Sequence, residues 1–153
     1  MSDDNEKERL RHELHAHLVQ ALETARVAHA AAVEGATHSE AKAENDKDTR
    51  GLEQSYLARG QAQRVAELDA AAADVARLEL RACTSVSMGA LVVVDDGAER
   101  RRYFVAPGGG GSELANKIQV ITPVSPLGRA LLGKRAEDVV EFRGRELEVI
   151  DVR

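Results

Sequence analysis

The feature that most limits what this chain can fold into is a long apolar stripe at helical spacing. Leu10, Leu14, Leu18, Ala21, Ala25, Ala28 and Ala32 follow one another at steps of four and three, with no Pro or Gly before Gly35. Such steps hold side chains on one face of an α-helix, so a helix is expected from about Glu6 to Val33. A matching stripe of Leu57, Gln61, Val65, Leu68, Ala72 and Val75, with Leu78 near its end, runs through a second segment from Thr49 to Arg81. Gly51 and Gly60 lie inside it; each costs about 1 kcal/mol in a helix interior and would allow close packing or mark a bend. Residues 35–49 between the stripes are polar and contain the turn formers Gly35, Ser39, Asn45, Asp46 and Asp48. Two helices joined by a short polar connection pack antiparallel, here with arms of roughly 35–45 Å. A dimerising coiled-coil adaptor is the competing reading. The polar connection favours folding back within one chain, and a monomer is expected.

Composition agrees with an extended hairpin. Alanine is abundant, there is no Trp, and aromatic residues make up only 3% of the 153 residues, which suits helices packed through small side chains. Net charge is −5 and uneven: the first 82 residues carry 16 acidic and 11 basic side chains, the remainder ten of each. Excess negative charge argues against nonspecific binding to a nucleic-acid backbone, which needs cationic surface, and suits a basic protein groove or a metal. Cys83 is the only cysteine, so neither an internal disulfide nor a cysteine-rich zinc site is possible. The charged N-terminus lacks the apolar stretch of a signal peptide, and no run of about 18 apolar residues could span a membrane. A cytoplasmic location is expected, without membrane association.

The pattern changes near Cys83. Ala90 to Val94 is a β-branched run ending at the hairpin signal Asp95-Asp96-Gly97, and Arg101 to Val105 resumes an extended pattern. Pro107 to Glu113 is a glycine-rich loop, and Lys117 to Thr122 another strand. Ser125 to Gly133 is a short helix, with Ser125 as N-cap, Pro126 as first residue and Gly133 as stop. Asp138 to Phe142 and Glu146 to Val152 are strands about an Arg143-Gly144 turn. The expected architecture is a hairpin over 1–82 followed by an α+β domain over 83–153.

Ser125, Pro126, Leu127, Gly128, Ala130, Leu131, Leu132, Gly133 and Lys134, with the acidic turn and closing strands that follow, resemble the C-terminal domain of the bacterial Gre transcript cleavage factors. The resemblance extends back to about Ser87 through Gly89 to Val94 and Tyr103-Phe104-Val105. Arg64 to Asp69 is similar to part of the family's second coiled-coil arm. It implies an antiparallel coiled coil ahead of an FKBP-like α+β domain, and RNA polymerase as partner. It implies that the coiled coil enters the polymerase secondary channel and that its acidic tip helps the polymerase hydrolyse backtracked RNA. No tightly bound cofactor is implied, only magnesium shared with the polymerase active centre. Carboxylates suit that ion, a hard cation preferring oxygen ligands, and a second metal can activate the attacking water. Such a protein assists the polymerase's own hydrolysis and is not itself an enzyme. Ser125, Pro126, Leu127, Gly128 and Arg129 are the candidate polymerase contacts.

The family's tip pattern is Asp-Leu-Ser-Glu-Asn. Here Glu44-Asn45 matches the Glu-Asn pair, but the Asp position falls on Ala41, beside Glu40. A second register puts Asp on Glu44 and Glu on Lys47. Glu44, Asp46 and Asp48, then Glu40, are the candidate tip carboxylates and magnesium ligands. A structural role competes, since Asp before a helix caps its free N–H groups. The altered tip keeps open a channel regulator that does not promote cleavage.

Other features carry less. His38 in a polar segment is expected to be exposed, and His12, His15, His17 and His29 solvated or at the seam edge. Gly108 to Gly111 lack the Gly-Lys-Ser/Thr of a phosphate loop and read as a flexible connection. Arg100-Arg101-Arg102 could touch polymerase or RNA, but reads first as solvated charge on a strand edge. Leu127, Leu131 and Leu132 are expected in the core. A prolyl isomerase would rest on fold analogy alone, with Tyr103, Phe104 and Phe142 too few for its apolar pocket.

Overall fold

The computed structural model describes residues 3–42 and 49–153. Helices α1 (Asp3–Lys42) and α2 (Thr49–Ala76) precede β1 (Leu91–Asp95), β2 (Arg100–Val105), a 3-10 turn (Ala115–Lys117), β3 (Gln119–Ile121), α3 (Pro126–Leu131), β4 (Val139–Phe142) and β5 (Arg145–Val152). The expected helical hairpin and α+β domain are both present. The residues group into two compact units, 17–70 and 1–16 with 71–153. No helix among the described residues is long and apolar enough to cross a membrane.

The 17–70 unit is a helical hairpin. Leu18, Leu22, Ala25, Ala32 and Ala36 are buried on α1 and Leu68 on α2. The helix does not stop near Val33 as the polar composition suggested, but continues to Lys42. Ala36 carries the stripe one step further, and Thr37 Oγ1 donates to the Val33 carbonyl at 2.9 Å, so its hydroxyl needs no turn. Gly35 is a close-approach residue instead: a Cβ there would stand 2.7 Å from Gln54 Oε1. The facing seam on α2 runs through Gln54, Ala58, Gln61, Val65 and Leu68, which are half-buried or buried. Leu57, expected on the seam, is 51% exposed. Steps of 57, 61 and 65 drift off a seam that alternates four and three, which keeps register with a partner helix. Gly60 is exposed, with open space where a Cβ would lie.

In the other unit the five strands have the order β3-β2-β1-β5-β4. All neighbours are antiparallel except β2 and β3. β3 starts later than expected because Asn116 and Lys117 adopt φ of 62° and 60°, a left-handed conformation that breaks an extended run. Arg143 and Gly144, at φ 52° and 78°, make the two-residue turn that sets Phe142 opposite Arg145.

The strands alternate between two buried faces. On one, Val92, Val94, Tyr103, Val105, Val140, Leu147 and Val149 join Leu131 of α3 in a single core cluster. Leu91 and Phe104, paired with each other, point to the opposite face and are 2% and 0% exposed. The first turns of α1 are tied to this second side. Lys7, 1% exposed, donates from Nζ to the carbonyls of Arg81 at 2.7 Å and Arg153 at 3.0 Å. Glu6 pairs with Arg102, and both Glu13 carboxylate oxygens accept from the Ala115 N–H at 3.1 Å. The arginine run has a strand on one side only, β1, because β3 pairs with Tyr103 to Val105 and stops short of it; Arg100 and Arg101 are exposed as expected for an edge, while Arg102 is half-buried in its ion pair.

The glycine-rich loop is also more than a flexible connection. A Cβ on Gly108 would lie 2.8 Å from Ala71 Cβ, and one on Gly109 would lie 2.6 Å from Leu14 Cδ1. Loop hydrogen bonds from Gly111 N to Val120 O at 2.9 Å and from Ser112 N to Gly109 O at 3.1 Å hold it in place.

Two stability predictions follow from these contacts. Lys7→Met leaves the Arg81 and Arg153 carbonyls without their lysine donor, and is expected to cost about 1–3 kcal/mol in urea unfolding; an unchanged midpoint would show that Lys7 is not an anchor. Gly60→Ala, in open space on a helix, is expected to raise stability by about 0.5–1 kcal/mol, whereas Gly109→Ala should lower it. Equal melting shifts for the two variants would contradict the assigned packing.

Candidate functional site

Three of the four candidate tip carboxylates, Glu44, Asp46 and Asp48, lie outside the described residues, and Glu40 is placed only as a backbone position on α1. Among the described residues, no group of three His, Cys, Asp or Glu is placed to hold a metal ion. His38 is exposed near the end of α1, as expected, and His29 is half-buried with its Nδ1 lacking a hydrogen-bond partner.

The second candidate region, Ser125 to Arg129, is well defined. Ser125 has extended backbone (φ −71°, ψ 155°), and its Oγ accepts from Gly128 N at 3.1 Å, capping α3. The same hydroxyl donates to the Thr122 carbonyl at 2.8 Å. Pro126 occupies the first turn, where its missing N–H removes no helical bond. Gly128 is buried, and a Cβ there would lie 1.8 Å from the Thr122 carbonyl oxygen, a position that backbone fixes. Leu131 is fully buried. Gly133, at φ 81°, ends the segment by donating to the Val86 carbonyl at 2.8 Å.

These contacts divide the candidate polymerase contacts by role. Ser125 and Gly128 build the turn, while Pro126 and Arg129 are exposed and free to meet a partner. Leu132, expected in the core, is 46% exposed, and Val124 before the cap is 72% exposed. Those two apolar side chains add to the accessible surface around α3. Their signal in the sequence is only that they flank the cap and the stop.

A further feature was not visible in the sequence. Leu127 and Phe142 are partly buried against the core cluster and, with Val94, Tyr103 and Leu147, line a cleft of about 270 Å³. Asp96, Arg101, Arg143 and Arg145 also line it. Two of the three aromatic residues judged too few for a pocket thus share one, while Phe104 is on the opposite face. The Glu99 and Ala98 backbone N–H groups, each 2.9 Å from Asp96 Oδ1, hold the Asp96 carboxyl below its ordinary range. Glu99, 2.7 Å from Arg101, raises the Arg101 guanidinium further above its ordinary value.

A long helical hairpin joined to a five-stranded α+β unit with a capped Ser-Pro-Leu-Gly helix defines a class of two-part proteins. Residues 81–153 match the family of the transcription elongation factor GreA/GreB C-terminal domain, so this part of the chain is similar to that domain and the protein is GreA/GreB-like. No curated protein matches the chain. Among solved structures, GreA factor homolog 1 (Gfh1) of Thermus thermophilus is 20% identical, with 91% of this chain and 94% of that one covered and a TM-score of 0.38. Gfh1 of Thermus aquaticus is 26% identical, with 90% and 92% covered and a TM-score of 0.40.

The Gly128 geometry yields a prediction. Gly128→Ala meets backbone rather than a movable side chain and is expected to cost roughly 3 kcal/mol or more, whereas Arg129→Ala, fully on the surface, should stay within about 0.5 kcal/mol. Thermal unfolding of the two variants decides it; a Gly128→Ala protein as stable as wild type would refute the close approach.

Proposed function

We propose that this protein is a transcription elongation factor that binds RNA polymerase in its secondary channel and stimulates the enzyme's own cleavage of backtracked RNA. The observation that carries the reading is the GreA/GreB C-terminal domain match over residues 81–153, which includes the capped Ser-Pro-Leu-Gly helix. The exposed Pro126 and Arg129 are the proposed polymerase contacts. In and beside the segment between α1 and α2, Glu44, Asp46 and Asp48, then Glu40, would offer carboxylate oxygens to a magnesium ion shared with the polymerase. Oxygen donors suit that cation, and the ion would supply activation of the attacking water. The chain itself would add ligands and position, acting as an accessory factor in the cytoplasm.

One specific observation favours a second reading. The segment Glu40-Ala41-Lys42-Ala43-Glu44-Asn45-Asp46 lacks an Asp three residues before the Glu of its Glu-Asn pair. A protein with a displaced carboxylate could occupy the channel without promoting cleavage.

Cleavage of RNA in a defined backtracked complex of the cognate polymerase with magnesium separates the two. The first reading expects faster cleavage with wild type and loss of at least about tenfold of that stimulation in Glu44→Ala/Asp46→Ala/Asp48→Ala, the scale of a lost catalytic contact. Absence of stimulation, together with slower cleavage by a competing Gre factor, would replace it with the second. No effect in either assay would remove both.

A further inference from the structure

We propose that the cleft between α3 and the sheet is a docking site for a short acidic peptide segment that inserts one apolar side chain. Its volume of about 270 Å³ lies below the roughly 300–1,000 Å³ of sites for drug-sized ligands and fits one side chain with its flanking backbone. The floor is an opening into the core: Val94, Tyr103 and Leu147 are buried members of the core cluster, and Leu127 and Phe142 are its partly buried edge. An apolar side chain placed there continues the core and removes apolar surface from water, worth about 25 cal/mol per Å².

The rim selects the charge of what surrounds that side chain. Arg143 and Arg145 stand on the β4–β5 turn. Arg143 has no carboxylate partner among the described residues; its guanidinium instead lies 5.0 Å from the Phe142 ring centre. Arg145 reaches Asp96 only at 3.9 Å and remains 71% exposed. Arg101 is already neutralised by Glu99 at 2.7 Å; Asp96 keeps its negative charge, but its side chain is only 12% exposed and its Oδ1 is taken by backbone N–H groups. The charges still available to a partner are therefore the two turn arginines, whose planar forks suit carboxylates.

The same contacts disfavour a nucleobase. Binding a base needs an open aromatic face or a set of groups that read its edge. The Phe142 face is covered by Arg143, and the remaining rim groups are guanidinium donors and one carboxylate, not a set arranged around a base edge.

The proposal goes beyond the polymerase reading and does not depend on it, because the site is defined by its own chemistry whichever protein supplies the segment. The test uses the full chain and no polymerase. A fluorescein-labelled peptide, Glu-Asp-Leu-Asp-Glu, is titrated by fluorescence anisotropy against wild type and against Arg143→Gln/Arg145→Gln, whose altered side chains are on the surface. Saturable binding is expected, weakened about tenfold or more in the variant, as for loss of close charge pairs. It should weaken similarly when the central leucine of the peptide becomes serine. No saturation by millimolar chain, or unchanged affinity in the arginine variant, would overturn the site. Equal binding of the leucine and serine peptides would overturn it too, since attraction would then be charge alone. Transcript cleavage measured with the same arginine variant reports separately on the polymerase reading.

Discussion

The buried Lys7 is the contact on which the architecture of the larger unit depends. A lysine enters a protein interior only where acceptors replace its water, and here they come from distant places in the chain: the carbonyl of Arg81, just beyond α2, and that of Arg153, just beyond β5. Cys83 Sγ lies 3.9 Å from the same nitrogen. One side chain therefore joins the first turn of α1, the entry to the sheet and its exit. Arg11, one turn further along α1, repeats the device by donating from Nη1 to the Leu78 carbonyl at 2.7 Å. Each hydrogen bond contributes only about 1 kcal/mol net. Their effect is positional: they make the base of α1 a member of the sheet's own compact unit, not a helix that merely precedes it in sequence.

That arrangement explains the small residues that face it. If Leu14 of α1 and Ala71 of α2 are to pack against the loop after β2, the loop must lack Cβ atoms where they approach. Gly108 and Gly109 meet that need. A glycine run is usually read as freedom of the chain, and Gly109 does use a positive φ of 77° that other residues rarely adopt. The stronger constraint is the absence of a side chain in a filled space. Gly128 follows the same rule against a carbonyl oxygen. In all three places glycine serves packing, and a substitution that preserved backbone freedom would still fail on volume.

Short-range patterns were legible because their cause is short-range. Ser125 before Pro126, Gly133 after Leu132, and Arg143-Gly144 between two apolar runs each act over three or four residues. The helix stripes were legible as helices but less so as a seam. Leu57 satisfies helical spacing and still faces solvent, because the seam is chosen by the partner helix. Gly35 looked like a turn for the same reason: its role is set by Gln54, which spacing within α1 does not reveal. The cleft was least visible. Tyr103 and Phe104 are adjacent in sequence yet on opposite faces, and which one meets Phe142 depends on strand order across β2, β1, β5 and β4. The core partners of Leu127 come from the same long-range pairing.

This separation of causes bears on how such a protein could change its activity. The α3 turn is over-determined: Ser125 binds two backbone groups, Gly128 is enclosed by a carbonyl, and Gly133 is tied to Val86. Few substitutions are compatible with that geometry, so the turn holds its sequence for structural reasons as well as any partner. The segment around Glu44 has no comparable constraint from composition, being polar and short of apolar anchors. Under the proposed function, docking and chemistry would reside in these two regions, one rigidly specified and one free to vary. A single displaced carboxylate could then convert a cleavage factor into a channel occupant while leaving the docking turn unchanged, because the hydrogen bonds and close approaches that build that turn involve none of the tip residues.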